Sequence, residues 1–298
     1  MVKRIPIFAA VLALLAFTMV VFATSLPNFV TKPQELARSI NQIYVFGDSL
    51  SDTGTIYNAT GGAYPPSPPY FQGRYSNGPV WVEHLASKLA LTLDGTTNFA
   101  AGGATTGAKG SYGVPGLLTQ VNSFTSTHAQ ADSQALYVVW AGANDYLQGE
   151  TQPTIVVENV MQAIASLSKV GAQKILVGNL PDLGQLPSTR NTSNAKALSA
   201  ATQAHNLSLS RSLTSASQKL GASVQVIQLD ANKLYQEAET HPSTFGFTNV
   251  TSGCLSSPDS CRQPDTFLFW DGIHPTTAAH RALGESAFLA LQVERRST

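Results

Sequence analysis

The chain has 298 residues, with 18 basic and 18 acidic side chains and therefore no net charge. Apolar residues make up 43% of it, which is enough to bury one large core. Charged residues are only 12%, about half the usual share, so we expect a polar but weakly charged surface. No run of lysine or arginine provides the electrostatic footprint that nucleic-acid binding needs, and we expect no nucleic-acid partner.

The N-terminal segment differs in composition from the rest of the chain. Lys3 and Arg4 precede a nearly unbroken apolar run that ends at Ala23. This pattern predicts a secretory signal peptide over residues 1–24, followed by a tether over 25–40 and one folded domain over 41–295. An uncleaved membrane anchor is the alternative, because a run of roughly 19 residues can just span a bilayer. Either way we expect the domain outside the cytosol, secreted or periplasmic.

The two cysteines, Cys254 and Cys261, lie in a loop-like stretch with no histidine nearby. In an oxidising compartment this arrangement predicts a disulfide that closes a small ring. Two unpaired thiols are the alternative.

Short apolar segments alternate with amphipathic ones along the chain. The pattern predicts strands over residues 43–46, 98–101, 136–140, 174–177 and 224–229. It predicts helices over 80–91, 155–170, 193–220 and 275–291, with an irregular stretch of about 30 residues before the last. Strands that alternate with helices indicate an α/β fold, in which right-handed crossovers cover both faces of a parallel sheet.

The first predicted strand runs directly into Gly47, Asp48 and Ser49. Ligands of an open parallel sheet lie beyond the carboxyl ends of its strands, so a serine at this turn faces the predicted site. We expect Gly47 to permit a tight turn and Ser49 to begin a helix. A helix N-cap is the alternative role for this serine. The Gly-x-Ser-x-Gly elbow of the α/β-hydrolases is absent around Ser49, which excludes that family.

Asp271 and His274 lie near the end of the chain, three residues apart around a glycine. A serine hydroxyl is a weak nucleophile until a base accepts its proton, and a third group must orient that base. One tight turn could hold the carboxylate against the imidazole. The alternative is that Asp271 caps the following helix and His274 has no role.

Two further segments could donate hydrogen bonds to a substrate oxygen. Gly102 and Gly103 form a small-residue turn in which a backbone N–H can approach a ligand, and no Gly-Lys-Ser/Thr follows to suggest a phosphate loop. Asn144 follows the strand predicted over 136–140. A plain glycine-rich turn and an Asx turn are the alternatives.

Taken in their order along the chain, the four blocks around Ser49, Gly103, Asn144 and His274 resemble the GDSL/SGNH hydrolase family. The resemblance covers residues 42–292. The resemblance implies a flavodoxin-like three-layer α/β/α sandwich with a five-stranded parallel sheet. It implies that Ser49 is the nucleophile and that Asp271 and His274 complete a triad. It also implies an oxyanion hole made by the backbone N–H groups of Ser49 and Gly103 and the side chain of Asn144, with Gly102 as the alternative glycine.

The implied activity is hydrolysis of carboxylic esters (lipid, short-acyl or acetyl) through an acyl-enzyme, typical of a serine esterase or lipase. Acyl transfer to an alcohol is one alternative, and a catalytically silent binding protein is another. The histidines show no metal-ligand spacing, so we expect no metal and no cofactor. We expect a monomer whose partner is an ester substrate, with at most transient contact with a lipid surface.

Two other features have plain structural interpretations. The proline-rich stretch over residues 64–71 is expected to form a stiff loop, with a place on the rim of the acyl site as the alternative. His84 and His205 are expected to pack against apolar helix faces rather than bind a ligand.

Overall fold

The computed structural model describes residues 39–221, 223–256 and 261–292. The predicted signal peptide and nearly all of the predicted tether lie outside these ranges. Within them, no helix combines the length and apolar character that crossing a membrane requires.

A central sheet of four parallel strands carries the fold, in the spatial order β1-β2-β3-β4. The strands are β1 (Ile43–Gly47), β2 (Leu136–Trp140), β3 (Lys174–Gly178) and β4 (Gln225–Leu229). Every residue of β2 is buried, as expected for a parallel strand covered on both faces. The predicted parallel sheet is therefore confirmed.

The strand predicted over residues 98–101 is wrong in extent. Asn98 makes only an isolated parallel bridge with Val45, supported by the Phe99 N–H, which donates to the Val45 carbonyl at 2.8 Å. The Asn98 side chain donates to the Ser51 carbonyl at 2.8 Å and accepts from the Ala100 N–H at 3.0 Å. The Ala101 N–H also donates to the Gly47 carbonyl at 3.1 Å, so this segment runs beside β1 but forms only a bridge, and the main sheet has four strands instead of five.

Helices cover both faces and make the three layers. On one face, α2 (Trp81–Lys88) packs against α8 (Thr277–Gln292). On the other face, α5 (Pro153–Lys169) packs between α3 (Leu117–Thr127) and α6 (Ala195–Lys219). Strand side chains alternate between two buried cores: Val45, Val138 and Leu176 belong to the first, and Phe46, Val139 and Val177 to the second.

The stretch that precedes α8 is more regular than the sequence suggests. In this stretch the chain forms α7 (Ala231–Thr240) directly after β4. Two short helices, α1 (Thr55–Ala59) and α4 (Ala143–Leu147), lie earlier in the chain. The carboxylate of Asp230 accepts the Lys233 N–H at 3.1 Å and so caps α7. A small second sheet follows, in which β5 (Asn249–Gly253) pairs in parallel with β6 (Phe267–Phe269).

The disulfide expected from the sequence is present at the end of β5. Cys254 is bonded to Cys261, with the two Cα atoms 4.9 Å apart. The bridge therefore closes the loop between the two strands of the small sheet, just before the segment that carries Asp271.

Candidate active site

β1 ends in a turn and not in the helix predicted at Ser49. The Asp48 carbonyl accepts the N–H groups of Ser51 and Asp52, both at 3.0 Å. The first helix begins only at Thr55, because the carboxylate of Asp52 accepts the Thr55 N–H at 2.6 Å and caps the helix there. Ser49 thus lies on the turn and is largely buried, with 8% of its surface exposed.

Gly47, the last residue of β1, fits only without a side chain. A Cβ at this position would lie 2.3 Å from the Trp140 carbonyl oxygen on the neighbouring strand. The side chain of Gln120 accepts the Gly47 N–H at 2.8 Å and donates to its carbonyl at 2.9 Å. Both polar groups of this peptide are satisfied by one buried amide, which fixes the start of the turn that carries Ser49.

Ser49, His274 and Asp271 form a continuous chain of hydrogen bonds. His274 Nε2 lies 2.9 Å from Ser49 Oγ, and His274 Nδ1 lies 2.7 Å from Asp271 Oδ2. The other carboxylate oxygen of Asp271 accepts the backbone N–H groups of Ile273 and His274, each at 2.7 Å. The structure therefore brings Ser49 to the Asp271–His274 pair, although 225 positions separate Ser49 from His274.

Asp271 remains a carboxylate because of its neighbours. Burial alone would raise its pKa, but the charge of His274 and the hydrogen bonds from His274 and Ile273 outweigh burial and hold the pKa below its usual range. Tyr70, from the proline-rich loop, donates its hydroxyl to Asp271 Oδ2 at 2.8 Å. Burial raises the pKa of Tyr70, so the hydroxyl keeps its proton as a donor.

The contact of Tyr70 with Asp271 was not predicted. The sequence suggested a stiff loop or a rim of the acyl site, whereas the loop reaches the acid of the predicted triad. The only available signal was the concentration of tyrosines around the prolines, and that signal names no partner.

Gly102 and Gly103, in the small-residue turn, differ in their hydrogen bonds. The Gly102 N–H donates to Asp52 at 2.8 Å, and a Cβ at Gly102 would lie 2.1 Å from the Tyr75 hydroxyl. Gly103 has φ +83°, a conformation that favours glycine. Its N–H has no acceptor among the described residues. This difference supports Gly103, rather than Gly102, as a donor to a substrate.

Asn144 is the second residue of α4. Its Nδ2 donates one hydrogen to the Ala104 carbonyl at 2.9 Å, and a primary amide carries a second hydrogen for a ligand. The adjacent Asp145 accepts the Thr106 N–H at 2.9 Å and the Thr106 hydroxyl at 2.6 Å. These bonds tie the glycine loop to α4, so the two predicted donors keep a fixed relative position.

The backbone that carries His274 is held from both sides. The Trp270 N–H donates to the His274 carbonyl at 2.7 Å, and the Ser188 N–H donates to the Gly272 carbonyl at 2.9 Å. These two bonds close the tight turn that the spacing of Asp271 and His274 suggested.

The stretch over residues 73–81, for which the sequence suggested no role, supports the same turn. Ser76 donates its hydroxyl to the Pro275 carbonyl at 2.8 Å. Asn77 accepts the Thr277 N–H at 2.8 Å, at the first residue of α8. The segment therefore anchors Pro275 and Thr277, the first and third residues after His274.

Asp48 is a buried acid beside the predicted nucleophile, 2% exposed. Burial raises its pKa to about 7, although the Leu50 N–H, which donates to the carboxylate at 3.0 Å, acts in the opposite direction. No role of its own was predicted for Asp48.

His205 and His84, the two histidines expected to pack against helix faces, are both at least partly covered by neighbouring side chains. His205 is fully buried and its Nδ1 lies 3.0 Å from the Tyr146 hydroxyl; burial lowers its pKa to about 4. His84 is half-buried against α8. In the part of the chain that the structure covers, no group of three acidic, histidine or cysteine side chains could hold a metal ion.

Comparison with known proteins gives one family. The model of the GDSL-like lipase/acylhydrolase family matches residues 43–287. The phosphatidylcholine-sterol acyltransferase of Aeromonas hydrophila is 31% identical, over 96% of this chain and 98% of that protein. The thermolabile hemolysin of Vibrio parahaemolyticus is 29% identical, over 83% of this chain and 62% of its own length.

Among solved structures, a G-D-S-L family lipolytic protein from Veillonella parvula is 18% identical with a TM-score of 0.48, over 86% of this chain and 98% of that chain. The match of the family model over most of the chain agrees with the residue blocks described above. The chain therefore belongs to the GDSL-like lipase/acylhydrolase family and is a carboxylic ester hydrolase of that type.

Proposed function

We propose that the protein hydrolyses esters through an acyl-enzyme on Ser49. The observation that carries this proposal is the hydrogen-bonded chain from Ser49 Oγ through His274 to Asp271, with links of 2.9 and 2.7 Å. His274 Nε2 accepts the hydroxyl proton while Oγ bonds to the ester carbonyl carbon. Asp271 fixes the imidazole tautomer, because its Oδ2 accepts the hydrogen on Nδ1.

The negative charge that develops on the carbonyl oxygen needs donors. In this proposal they are the N–H groups of Ser49 and Gly103 and the free amide hydrogen of Asn144. His274 then gives its proton to the departing alkoxide as the ester C–O bond breaks, leaving an acyl-enzyme and a free alcohol. A water molecule then repeats these steps. His274 takes a proton from the water, and the water oxygen attacks the acyl carbon. The bond between the acyl carbon and Ser49 Oγ breaks, His274 returns the proton to Oγ, and the carboxylic acid is released.

Acyl transfer to an alcohol is the second candidate. It is supported by the relative from Aeromonas hydrophila, whose name states a phosphatidylcholine-sterol acyltransferase and which this chain covers almost completely. The alcohol would take the place of water at His274 and no other residue would change role.

We also propose that the domain works outside the cytosol as a monomer. Support comes from the basic and apolar pattern of residues 1–24, which is typical of an export signal, and from the disulfide between Cys254 and Cys261.

Ser49→Ala tests the proposal most directly. Turnover of p-nitrophenyl acetate should fall by at least about 10³-fold, since the attacking oxygen is removed. An alkyl fluorophosphonate should label the wild-type protein once, at Ser49, as read by peptide mass spectrometry. Ser87→Ala, an exposed serine on α2, is the control and should keep full activity. Labelling at another serine, or retained turnover in Ser49→Ala, rejects the assignment.

Product analysis separates the two candidates. The wild-type protein is given a phospholipid together with a sterol or glycerol, and free fatty acid is compared with newly formed ester. Hydrolysis predicts free acid as the main product, whereas dominant ester formation favours the acyltransferase.

A further inference from the structure

Beside Ser49 lies a narrow cavity of about 20 Å³. Its polar lining comes from Asp48, Ser49 and Asn144, and Tyr235, from α7, also lines it. Its sides are mostly apolar and include Leu147, Pro181, Leu183 and Leu186. A volume of this size has room for about one water-sized group, so it admits the end of a short chain and not a long one.

A second cavity, of about 10 Å³, lies behind Tyr235. It is lined by apolar side chains, among them Leu234, Ala238, Phe247 and Leu268. Tyr235 lines both cavities, is only 5% exposed, and packs against Phe269 with the ring centroids 6.0 Å apart. The tyrosine ring is therefore the partition between the two spaces.

The position of His274 indicates which part of an ester enters the first cavity. The leaving oxygen must lie at His274 Nε2, which gives it a proton, and His274 does not line this cavity. The acyl group extends from the carbonyl carbon in a different direction from the leaving oxygen. Because Ser49 and Asn144 line the cavity and most of its other lining residues are apolar, it suits an alkyl chain better than a hydrated alcohol.

We propose that this cavity receives the acyl group and that the Tyr235 ring sets the limit on its length. The inference rests on the proposed ester hydrolysis and assigns its substrate class: esters of acetic acid and of acids only slightly longer, because the volume has room for about one methyl-sized group. A longer chain would have to displace the ring of Tyr235 before its end could reach the second cavity.

The test is a series of p-nitrophenyl esters with acetyl, butanoyl, hexanoyl and octanoyl groups. For the wild-type protein, kcat/KM should fall by about tenfold or more between butanoyl and octanoyl, in line with the usual discrimination by an apolar site. Tyr235→Ala joins the two cavities, and the ratio of kcat/KM for octanoyl to that for acetyl should rise about tenfold or more.

Two matched variants isolate the partition. Tyr235→Phe keeps the ring, and Leu234→Ala enlarges only the second cavity, so both should keep the wild-type chain-length profile. In Tyr235→Ala, a further Ala238→Phe refills the second cavity and should restore the preference for short chains. Tyr235→Leu, a milder truncation with the same expected direction, serves if Tyr235→Ala does not fold by circular dichroism.

The outcomes distinguish this inference from the proposed function. Octanoyl turnover as fast as acetyl turnover in the wild-type protein, or an unchanged profile in folded Tyr235→Ala and Tyr235→Leu, overturns the inference while Ser49-dependent hydrolysis stands. Absence of Ser49-dependent turnover with every ester rejects the proposed function itself.

Discussion

Ser49 and Asn144 follow directly from β1 and β2, neighbouring strands that pair over their full five-residue length. Asp271 and His274 lie instead on a loop after β6, a strand of three residues outside the main sheet. We call these the nucleophile half and the acid–base half of the site. The sheet register alone brings the first pair to one edge, whereas nothing in the main sheet places the second pair there.

The two halves also differ in what holds them. In the nucleophile half, buried side chains satisfy the backbone next to the serine, as Gln120 does for Gly47. In the acid–base half, hydrogen bonds come from distant segments: Tyr70 reaches Asp271, and Ser76 reaches the Pro275 carbonyl. Substitutions in the nucleophile half should therefore change the reaction rate without changing the surrounding structure. Substitutions in the acid–base half should change the alignment and the protonation of Asp271 and His274.

The largest effect after loss of the nucleophile is expected in the acid–base half, from Asp271→Asn. The asparagine Oδ1 can still accept the N–H groups of Ile273 and His274, but its amide opposes the hydrogen on His274 Nδ1. The imidazole is then held in the wrong tautomer, and kcat should fall by up to about 10⁴-fold. Steady-state kinetics with p-nitrophenyl acetate measures this.

The matched control is Asp265→Asn, an exposed acid just before β6 that should change neither kcat nor melting temperature. Because the pKa of Asp271 lies below its usual range, Asp271 itself should add no proton to the acid limb of kcat/KM. A tenth or more of the activity surviving in Asp271→Asn contradicts the assignment.

In the nucleophile half, Asn144→Ala should lower kcat by roughly 100- to 1000-fold and leave KM nearly unchanged. The reason is that the amide is proposed to bind the oxyanion and not the ground-state ester. Asn144→Asp keeps the shape but lacks the donor, so it should lose a similar factor. Asn122→Ala, on the exposed face of α3, is the control. A change in KM alone moves Asn144 from the oxyanion hole to substrate binding.

The difference between the halves also marks how far the sequence predicts the structure. β1 to β3 are largely apolar runs bounded by turns, and such patterns indicate buried strands without knowledge of their neighbours. β4 was also predicted, although it carries two glutamines and is only partly buried. β5 and β6 could not be predicted, because Asn249–Gly253 is polar and pairs only with three residues from a later segment. The segment at Asn98 lies beside β1 but forms only a bridge, and its sequence pattern does not distinguish a bridge from a full strand.

The site shows the same division. Ser49, Asp271 and His274 were predicted because four short blocks together match one family, and each block alone was ambiguous. Tyr70 could not be identified, since 201 positions separate it from Asp271 and no spacing rule joins them. Contacts made only after folding leave no local pattern in the sequence.

Tyr70→Phe is expected to have a smaller effect on the acid–base half. Without the hydroxyl, Asp271 Oδ2 carries more negative charge toward His274 and favours the imidazolium. The midpoint of the acid limb of kcat/KM should therefore move to higher pH by a few tenths of a unit, and kcat should fall by about three- to tenfold as Asp271 loses one orienting bond.

Tyr64→Phe is the control for Tyr70→Phe. Tyr64 belongs to the same loop, packs edge-on to Tyr75 with ring centroids 5.9 Å apart, and is 55% exposed. Loss of its hydroxyl should leave the pH profile in place. A fall in kcat for Tyr70→Phe without any displacement of the acid limb reduces Tyr70 to a packing role.

The smallest expected effect concerns stability in the nucleophile half. Burial raises the pKa of Asp48 from 3.8 to about 7, so the folded protein keeps a proton that the unfolded chain loses between these values. The folded state then binds more protons than the unfolded state, and the contribution of Asp48 to stability falls as pH rises from about 4 to about 7. Above about 7 both states are ionised and the contribution stays at its lowest.

Asp48→Asn removes this titration and keeps an oxygen for the Leu50 N–H. The melting temperature of the variant minus that of the wild type should therefore rise between pH 5 and pH 8, by a few degrees if the linkage approaches about 1 kcal/mol per pH unit. Comparing the two proteins at each pH cancels the titration of all other groups. As a control, the melting temperature of Asp265→Asn minus that of the wild type should be the same at every pH. A difference for Asp48→Asn that is constant or falls with pH means that Asp48 is ionised in the folded protein, and the rigid nucleophile half then contains a buried charge.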